Sequence, residues 1–492
     1  MFVLISRPRR SRARVDKRRM KWPHLLAALL LLNVSGCTSL PSERAVQDTR
    51  ALLAHRVDLP PASTESSPQA ALPKDLSNAP IDVARAIELA FRYSPRVDGA
   101  YAQVGLSRAD FEAARRIGNP TFSYSRLKAT SGGTQIGRGI SESLTDLLLL
   151  PTRERFAAGA LAQAQQRAAH ALLGLASDVE IAWYDAASAQ QIAATRKVAA
   201  TAAAQSATLA QRFFDAGNIN QLALAQEKAA SAAAAIAALR ATTHAERARA
   251  ALGVLMGVQT SATWTTATLP AAAADDAVAA EDLVAHALSE RLDLAAARQE
   301  VAMREDALAV TRWWRWLGRV EFGYEHEHEA GGGSIRGPTL AIELPIFNQG
   351  QDVVARAEAT LQDARARLAE LTLQVQNDVR ADAQSVQLAR EVAERYRTDL
   401  VPQREAIVAR TQEEVNFMLK GVFELIAAKQ AEYDAYQDYL EAARDFWVER
   451  ARLRAAVGGK LPGEQSQVTA TPPAPLPARA MNAPAHDHGA TQ

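Results

Sequence analysis

Two periodicities divide the chain. Short segments alternate apolar and polar side chains with the two-residue period of a strand. Val320-Glu321-Phe322-Gly323-Tyr324-Glu325-His326-Glu327 places a greasy face against glutamates. Leu340, Ile342, Leu344 and Ile346 likewise oppose Thr339, Ala341 and Glu343, and Thr121-Phe122-Ser123-Tyr124 alternates too. Elsewhere, alanine-rich stretches keep helical spacing over unusual lengths: 153–198 with 202–256, and 351–399 with 402–457. At ~1.5 Å per residue, a helix of about fifty residues runs about 75 Å, several times the usual globular helix. The pattern predicts a coiled-coil-like bundle in which alanine lets neighbouring backbones approach closely.

The order of parts occurs twice. Arg96-Val97-Asp98 in one amphipathic helix corresponds to Arg291-Leu292-Asp293 in another. Each helix leads to an alternating segment, then to a Gly-rich turn, Ser131-Gly132-Gly133 or Gly331-Gly332-Gly333-Ser334. A second extended segment follows and ends at Pro151 or Pro345, after which the long helices begin. Phe214-Asp215-Ala216-Gly217 with Leu222 pairs with Phe417 and Leu425 in the matching inner helix, with Lys420 opposite Gly217 and Gly421 one place later. The predicted organisation is a leader at 1–36, a linker at 37–80, repeats at 81–270 and 271–460, and a disordered Pro/Ala-rich tail at 461–492.

The ends change the picture. A basic stretch with Arg18, Arg19 and Lys21 leads into an apolar run, 25–32, too short to span a bilayer, and then into Val34-Ser35-Gly36-Cys37. That sequence resembles a bacterial lipobox, which implies cleavage before Cys37 and leaves that cysteine as the acylated first residue of the mature protein. Cys37 is the only cysteine, so an internal disulfide and a zinc cluster are excluded. Thr38 follows it, not the aspartate that lipoprotein family rules associate with retention in the inner membrane, so the resemblance implies the outer membrane. The leader holds nine of the 56 basic residues and one of the 55 acidic ones, so the mature chain carries a net charge of about −7. With no basic stripe, nucleic acid is not expected as a partner. Hydrophobic residues are 48% but aromatics only 6%, which suits long, closely packed helices better than a bulky core.

Four strands cannot close a transmembrane barrel, because barrels need about eight or more and an open edge in lipid leaves backbone groups unpaired. Several chains must therefore share one. Over 81–457 the chain resembles the TolC-type outer-membrane efflux proteins. The likeness is carried by Asn119-Pro120, Leu344-Pro345-Ile346-Phe347-Asn348-Gln349-Gly350, Phe214-Asp215-Ala216-Gly217, and Tyr396-Arg397 with Leu400-Val401-Pro402. It implies a mainly α fold with a β-barrel contribution: a long helical tunnel in the periplasm, plus four transmembrane strands per chain in a barrel completed by trimerisation. The implied partners are two further copies in a homotrimer, a periplasmic adaptor, an inner-membrane pump of the resistance-nodulation-division type, and outer-membrane lipid. Leu147-Leu148-Leu149-Leu150-Pro151-Thr152-Arg153 and Met418-Leu419-Lys420-Gly421-Val422-Phe423-Glu424-Leu425 resemble the heavy-metal lipoprotein branch. A periplasmic coiled-coil adaptor or scaffold would share the anchor and helices but would need no lipid-facing hairpins.

Candidate chemistry is sparse. No nucleophile motif, phosphate loop or zinc-ligand spacing occurs, so neither an enzyme nor a cofactor is expected. Glu325, Glu327 and Glu343 are candidate lumen acids that would favour cations such as divalent metals. His326 and His328 share one face and read either as metal ligands or as solvated residues where a strand leaves the membrane. His486 and His488 in the tail are candidate weak ligands, whereas six methionines do not support a Cu(I) relay. Trp313, Trp314 and Trp316 read as an interfacial anchor or as core. The helix-to-helix turns are expected around 195–201 and 396–402, closing the tunnel, with Asp399 a candidate ring of carboxylates.

Overall fold

The computed structural model describes residues 42–57, 79–130, 132–259, 264–272, 278–316, 318–329 and 331–462. Cys37, His486 and His488 lie outside them. The chain divides into two compact units, Met1–Ser42 and Glu43–Gln492, and the elements below belong to the second, save the first residue of α1.

The described elements run α1 (Ser42–Leu53), then α2 (Val83–Tyr93), α3 (Pro95–Ala114), β1 (Thr121–Ala129), β2 (Gly133–Ser143), α4 (Leu144–Asp215) and α5 (Gln221–Met256). The same order follows in α6 (Ala280–Glu290), α7 (Leu292–Trp314), β3 (Val320–His328), β4 (Ser334–Ile342), α8 (Gln351–Arg395), a π-helical turn (Tyr396–Leu400), α9 (Val401–Asn416) and α10 (Val422–Val457). The fold is mainly helical with one four-stranded antiparallel sheet of order β1-β2-β3-β4. The two repeats are interlocked, since α10 packs against both α4 and α8, and α4 also packs against α7.

Aromatic side chains tie the repeats together where these helices meet. Trp183 on α4 is 2% exposed and donates from Nε1 to the Ile81 carbonyl at 2.8 Å. Ile81 bridges in parallel to Thr266, so the segment that joins the repeats is stitched to the start of the first. Tyr184 lies edge-on to Trp183 and stacks on Trp447 of α10, with ring centroids 5.3 and 5.4 Å away. Trp447 donates to the Pro270 carbonyl at 3.0 Å, and Phe446 meets it edge-on. Arg454 of α10 pairs with Glu180 of α4 at 3.1 Å. Burial, reinforced by Glu180, pushes the Tyr184 hydroxyl well above its ordinary pKa, so it remains a neutral donor.

The helix ends differ from the sequence expectation in three places. First, α4 is one continuous helix of 72 residues, about 110 Å long, with no turn at 195–201. Thr195 and Thr201, which look like a polar break, return their hydroxyls to the carbonyls of Gln191 and Lys197 at 3.0 Å and stay helical. Second, 396–402 does not reverse the chain: a π-turn at Tyr396–Leu400 and the start of α9 lie inside a helical rod running from Gln351 to Asn416. Pro402 has no N–H and its ring crowds the carbonyl four residues earlier; the wider turn accommodates it without reversing the chain. Third, β2 ends at Ser143, not at Pro151, which lies inside α4. Ser143 caps the helix by accepting from the Asp146 N–H at 3.2 Å, a Ser-x-x-Asp signal at the true start. After β4, in contrast, the chain is irregular from 343 and the helix begins at Gln351, so Pro151 and Pro345 are not equivalent.

The real reversals lie at 216–220 and 417–421, so Phe214-Asp215-Ala216-Gly217 closes a helix rather than sitting within one. Both use the same cap. Asn218 N–H reaches the Phe213 carbonyl and Gly217 N–H that of Phe214; Leu419 N–H reaches Glu414 and Met418 N–H reaches Val415. Gly217 therefore corresponds to Met418, not to Lys420. Gly217 has φ +77°, and Met418 is forced to φ +59°. A side chain in that left-handed region costs roughly 1–2 kcal/mol. Met418→Gly is expected to stabilise the turn by about 1 kcal/mol, slowing hydrogen exchange of the 417–421 amides about fivefold. Unchanged exchange would show that the strain is relieved elsewhere.

Candidate functional site

The sheet and the two helical turns lie at opposite ends of the long helices. The chain enters the sheet from α3 and α7 and leaves it into α4 and α8, so the far ends of the hairpins, at the pairs Ala129–Gly133 and His328–Ser334, point away from the helices. Helices and sheet are joined at Thr145, whose Oγ1 accepts from the Val320 N–H at 2.8 Å. Gly318 sits so close to the chain leaving β4 that a Cβ there would lie 2.0 Å from the Glu343 carbonyl oxygen.

Register sorts the side chains of the sheet into two faces. On one, Phe122 faces Ile140, Ile140 faces Tyr324, Phe322 faces Leu340 and Val320 faces Ile342. Apart from Val320 these are all solvent-exposed, and the apolar surface continues toward the helices through Leu147, Leu148, Leu344 and Ile346. Trp313 is 83% and Phe347 98% exposed at that end. Trp316 is exposed under the Arg315 guanidinium, 4.4 Å from its ring, while Trp314 is half-buried. On the other face most residues are small or polar: Ser123 opposite Gly139, Ser125 opposite Gly137, and Gly323 opposite Thr339. The outer edges of β1 and β4 pair with no other described strand.

The candidate acids lie on the small-residue face. Glu325 stands between Gly139 and Gly337, so no neighbouring side chain covers its carboxylate across the strands. Glu327 stands between Gly137 and Ile335 and accepts a hydrogen bond from Gln135 Nε2. Glu343 lies just beyond β4 and continues the pairing, its N–H donating to the Arg319 carbonyl at 2.9 Å. His326 and His328 do share a face, as expected, but it is the apolar one. His326 is directly opposite Arg138 on one side and Arg336 on the other. Two guanidiniums beside it oppose a metal cation, and among the described residues no group of three or more His, Cys, Asp or Glu comes together as a metal site.

Asp399 lies in the π-turn, well back from the reversal, and accepts from Thr398 Oγ1 at 3.0 Å. It lines an open groove with Arg390, Glu391, Glu394, Arg395 and Arg397. Three guanidiniums balance three carboxylates there, so the groove of one chain does not set up the negative field expected of an acidic ring. A hydrogen bond from Arg397, at 2.6 Å, and its charge hold the Glu394 carboxyl below its ordinary pKa. The sequence reading missed the exposed apolar tips: Phe417, Met418 and Leu419 are all more than 70% exposed at the second reversal. Gly217 was the available signal for the first tip; the second has no glycine at the equivalent position.

No protein-family model matches the chain, and no curated protein does. Solved membrane-channel structures do. The Campylobacter jejuni CmeC outer membrane channel superposes with a TM-score of 0.66 at 15% identity, over 82% of this chain and 94% of that one. The open state of the Neisseria gonorrhoeae MtrE outer membrane channel gives 0.62 at 17% identity, over 77% and 89%. CusC, described for its folding and transmembrane channel formation, gives 0.63 at 16% identity, over 82% and 99%. The chain thus has the fold of outer-membrane channel proteins. CmeC and CusC fit almost equally well, so the overlay singles out no branch among them.

Proposed function

We propose that the chain is one subunit of a trimeric, lipid-anchored outer-membrane channel that exports solutes. The observation that carries this reading is the two-faced sheet with two unpaired edges. An apolar face, small polar side chains behind it and open edges are stable in lipid only when copies join edge to edge and close a barrel. The helices then extend the pore into the periplasm. The exposed flank of α5, rich in alanine with Leu222, Ile236 and Leu239, is suited to the next copy, and the apolar tips to a periplasmic adaptor serving an inner-membrane pump. The chain does no chemistry on its solute.

For the solute we propose divalent metal ions, with organic toxins as the alternative. Glu325 and Glu327 on the lumen side would concentrate cations without choosing among them; the choice belongs to the pump. Reconstituted protein is expected to run as a detergent-resistant trimer and to conduct in planar bilayers. A monomer that stays soluble without detergent and never conducts would refute the channel. Glu325→Gln with Glu327→Gln is expected to reduce cation preference, with the difference shrinking as salt rises. Deleting the gene should sensitise cells to zinc, cobalt, cadmium or copper. Sensitivity confined to dyes and antibiotics would overturn the metal assignment and leave the channel standing.

A further inference from the structure

The apolar face of the sheet changes character near its hairpin turns. Beyond Phe122, Ile140, Tyr324 and Pro338, that face carries Arg126 and Lys128 on β1, Arg138 on β2 and Arg336 on β4. His326 lies between Arg138 and Arg336, and His328 follows one pleat later. All four cations are exposed, and none forms an ion pair within the described residues. The acids Glu325 and Glu327 alternate with the histidines along β3 and therefore belong to the opposite face. Glu142, the one acid of the strands on the apolar face, is opposite Phe322, about 13 Å along the strand from Arg138 and toward the helices.

This sorting forgoes the cross-strand ion pairs that normally stabilise a sheet, and it places like charges side by side. The countercharge must come from outside the chain. Resting on the reading that the apolar band lies in lipid, the basic rows sit at headgroup depth in the leaflet on the hairpin side. We infer that this belt binds the phosphates of an anionic lipid in that leaflet. Arginine presents a planar fork of donors that matches phosphate, and His326 adds a donor in either protonation state. A lipid fits better than free phosphate because the cations are spread over three strands on an open surface. A dissolved anion there is screened by salt, while a lipid phosphate is held against the belt by its own chains.

The test uses full-length protein in detergent, with a bis-phosphorylated glycolipid (lipid A) and its dephosphorylated form as probes and native mass spectrometry as readout. Wild type is expected to retain the phosphorylated lipid preferentially. Arg126→Gln with Arg138→Gln and Arg336→Gln should weaken that retention at least about tenfold and leave the dephosphorylated lipid unaffected. Millimolar inorganic phosphate should not displace it. Equal retention by wild type and variant, no preference for the phosphorylated lipid, or displacement by inorganic phosphate would each overturn the belt. Bilayer conductance of both proteins separates the two readings. A conducting wild type with no lipid preference refutes the belt alone, whereas one that never inserts or conducts refutes the channel and the belt with it. Because the three positions are exposed, the variant should keep the parent's conductance and heat resistance; a variant without them is replaced by the triple Arg→Lys form, whose retention should exceed that of the Gln form.

Discussion

Trp183→Ala is expected to cost about 3–5 kcal/mol of stability, the largest loss from any single truncation in the helical region. The indole is buried, faces Tyr184, and donates to the Ile81 carbonyl in the segment stitched to Thr266. Its removal opens a cavity where three parts of the chain meet. Ile81 keeps the Ala267 N–H, 2.9 Å from its carbonyl, so the lost hydrogen bond is the smaller component. Trp183→Phe, which fills most of the volume, should accordingly cost only about 1–2 kcal/mol. Urea midpoints of the parent and both variants decide the matter. Equal losses would mean that the hydrogen bond, not the packing, secures the knot.

Cys37→Ser should abolish incorporation of a radioactive fatty acid and stop maturation of the leader, an all-or-none effect, because the chain has no other thiol to accept the lipid. Channel formation should survive, since the proposed barrel depends on the strands and not on the anchor. Labelling that persists in the serine variant would refute the lipobox reading.

The strands were legible because alternation is a local property: Phe322 and Tyr324 against Glu321 and Glu325 set the two faces before any partner strand is known. What flanks a residue across the sheet is not local. From one strand His326 and His328 read either as metal ligands or as solvated residues, and only the register brings Arg138 and Arg336 to the sides of His326. The long helices were legible in their periodicity but not in their ends. Thr195, Thr201 and Pro402 carry the chemistry of a break, yet the long helices absorb them, through hydroxyls bonded back to the helix and through one π-turn. The true second reversal runs through Met418, whose left-handed backbone has no signature in its side chain.

The two unpaired edges of the sheet also bear on inheritance. The proposed barrel of three copies would make each β1 edge depend on a neighbour's β4 edge, so that a chain with one damaged edge would spoil the ring it joins. In a cell making intact and edge-damaged copies equally, random assembly leaves about one ring in eight wholly intact. Damage at an edge would therefore behave as a dominant trait, whereas loss of the whole gene copy would be recessive.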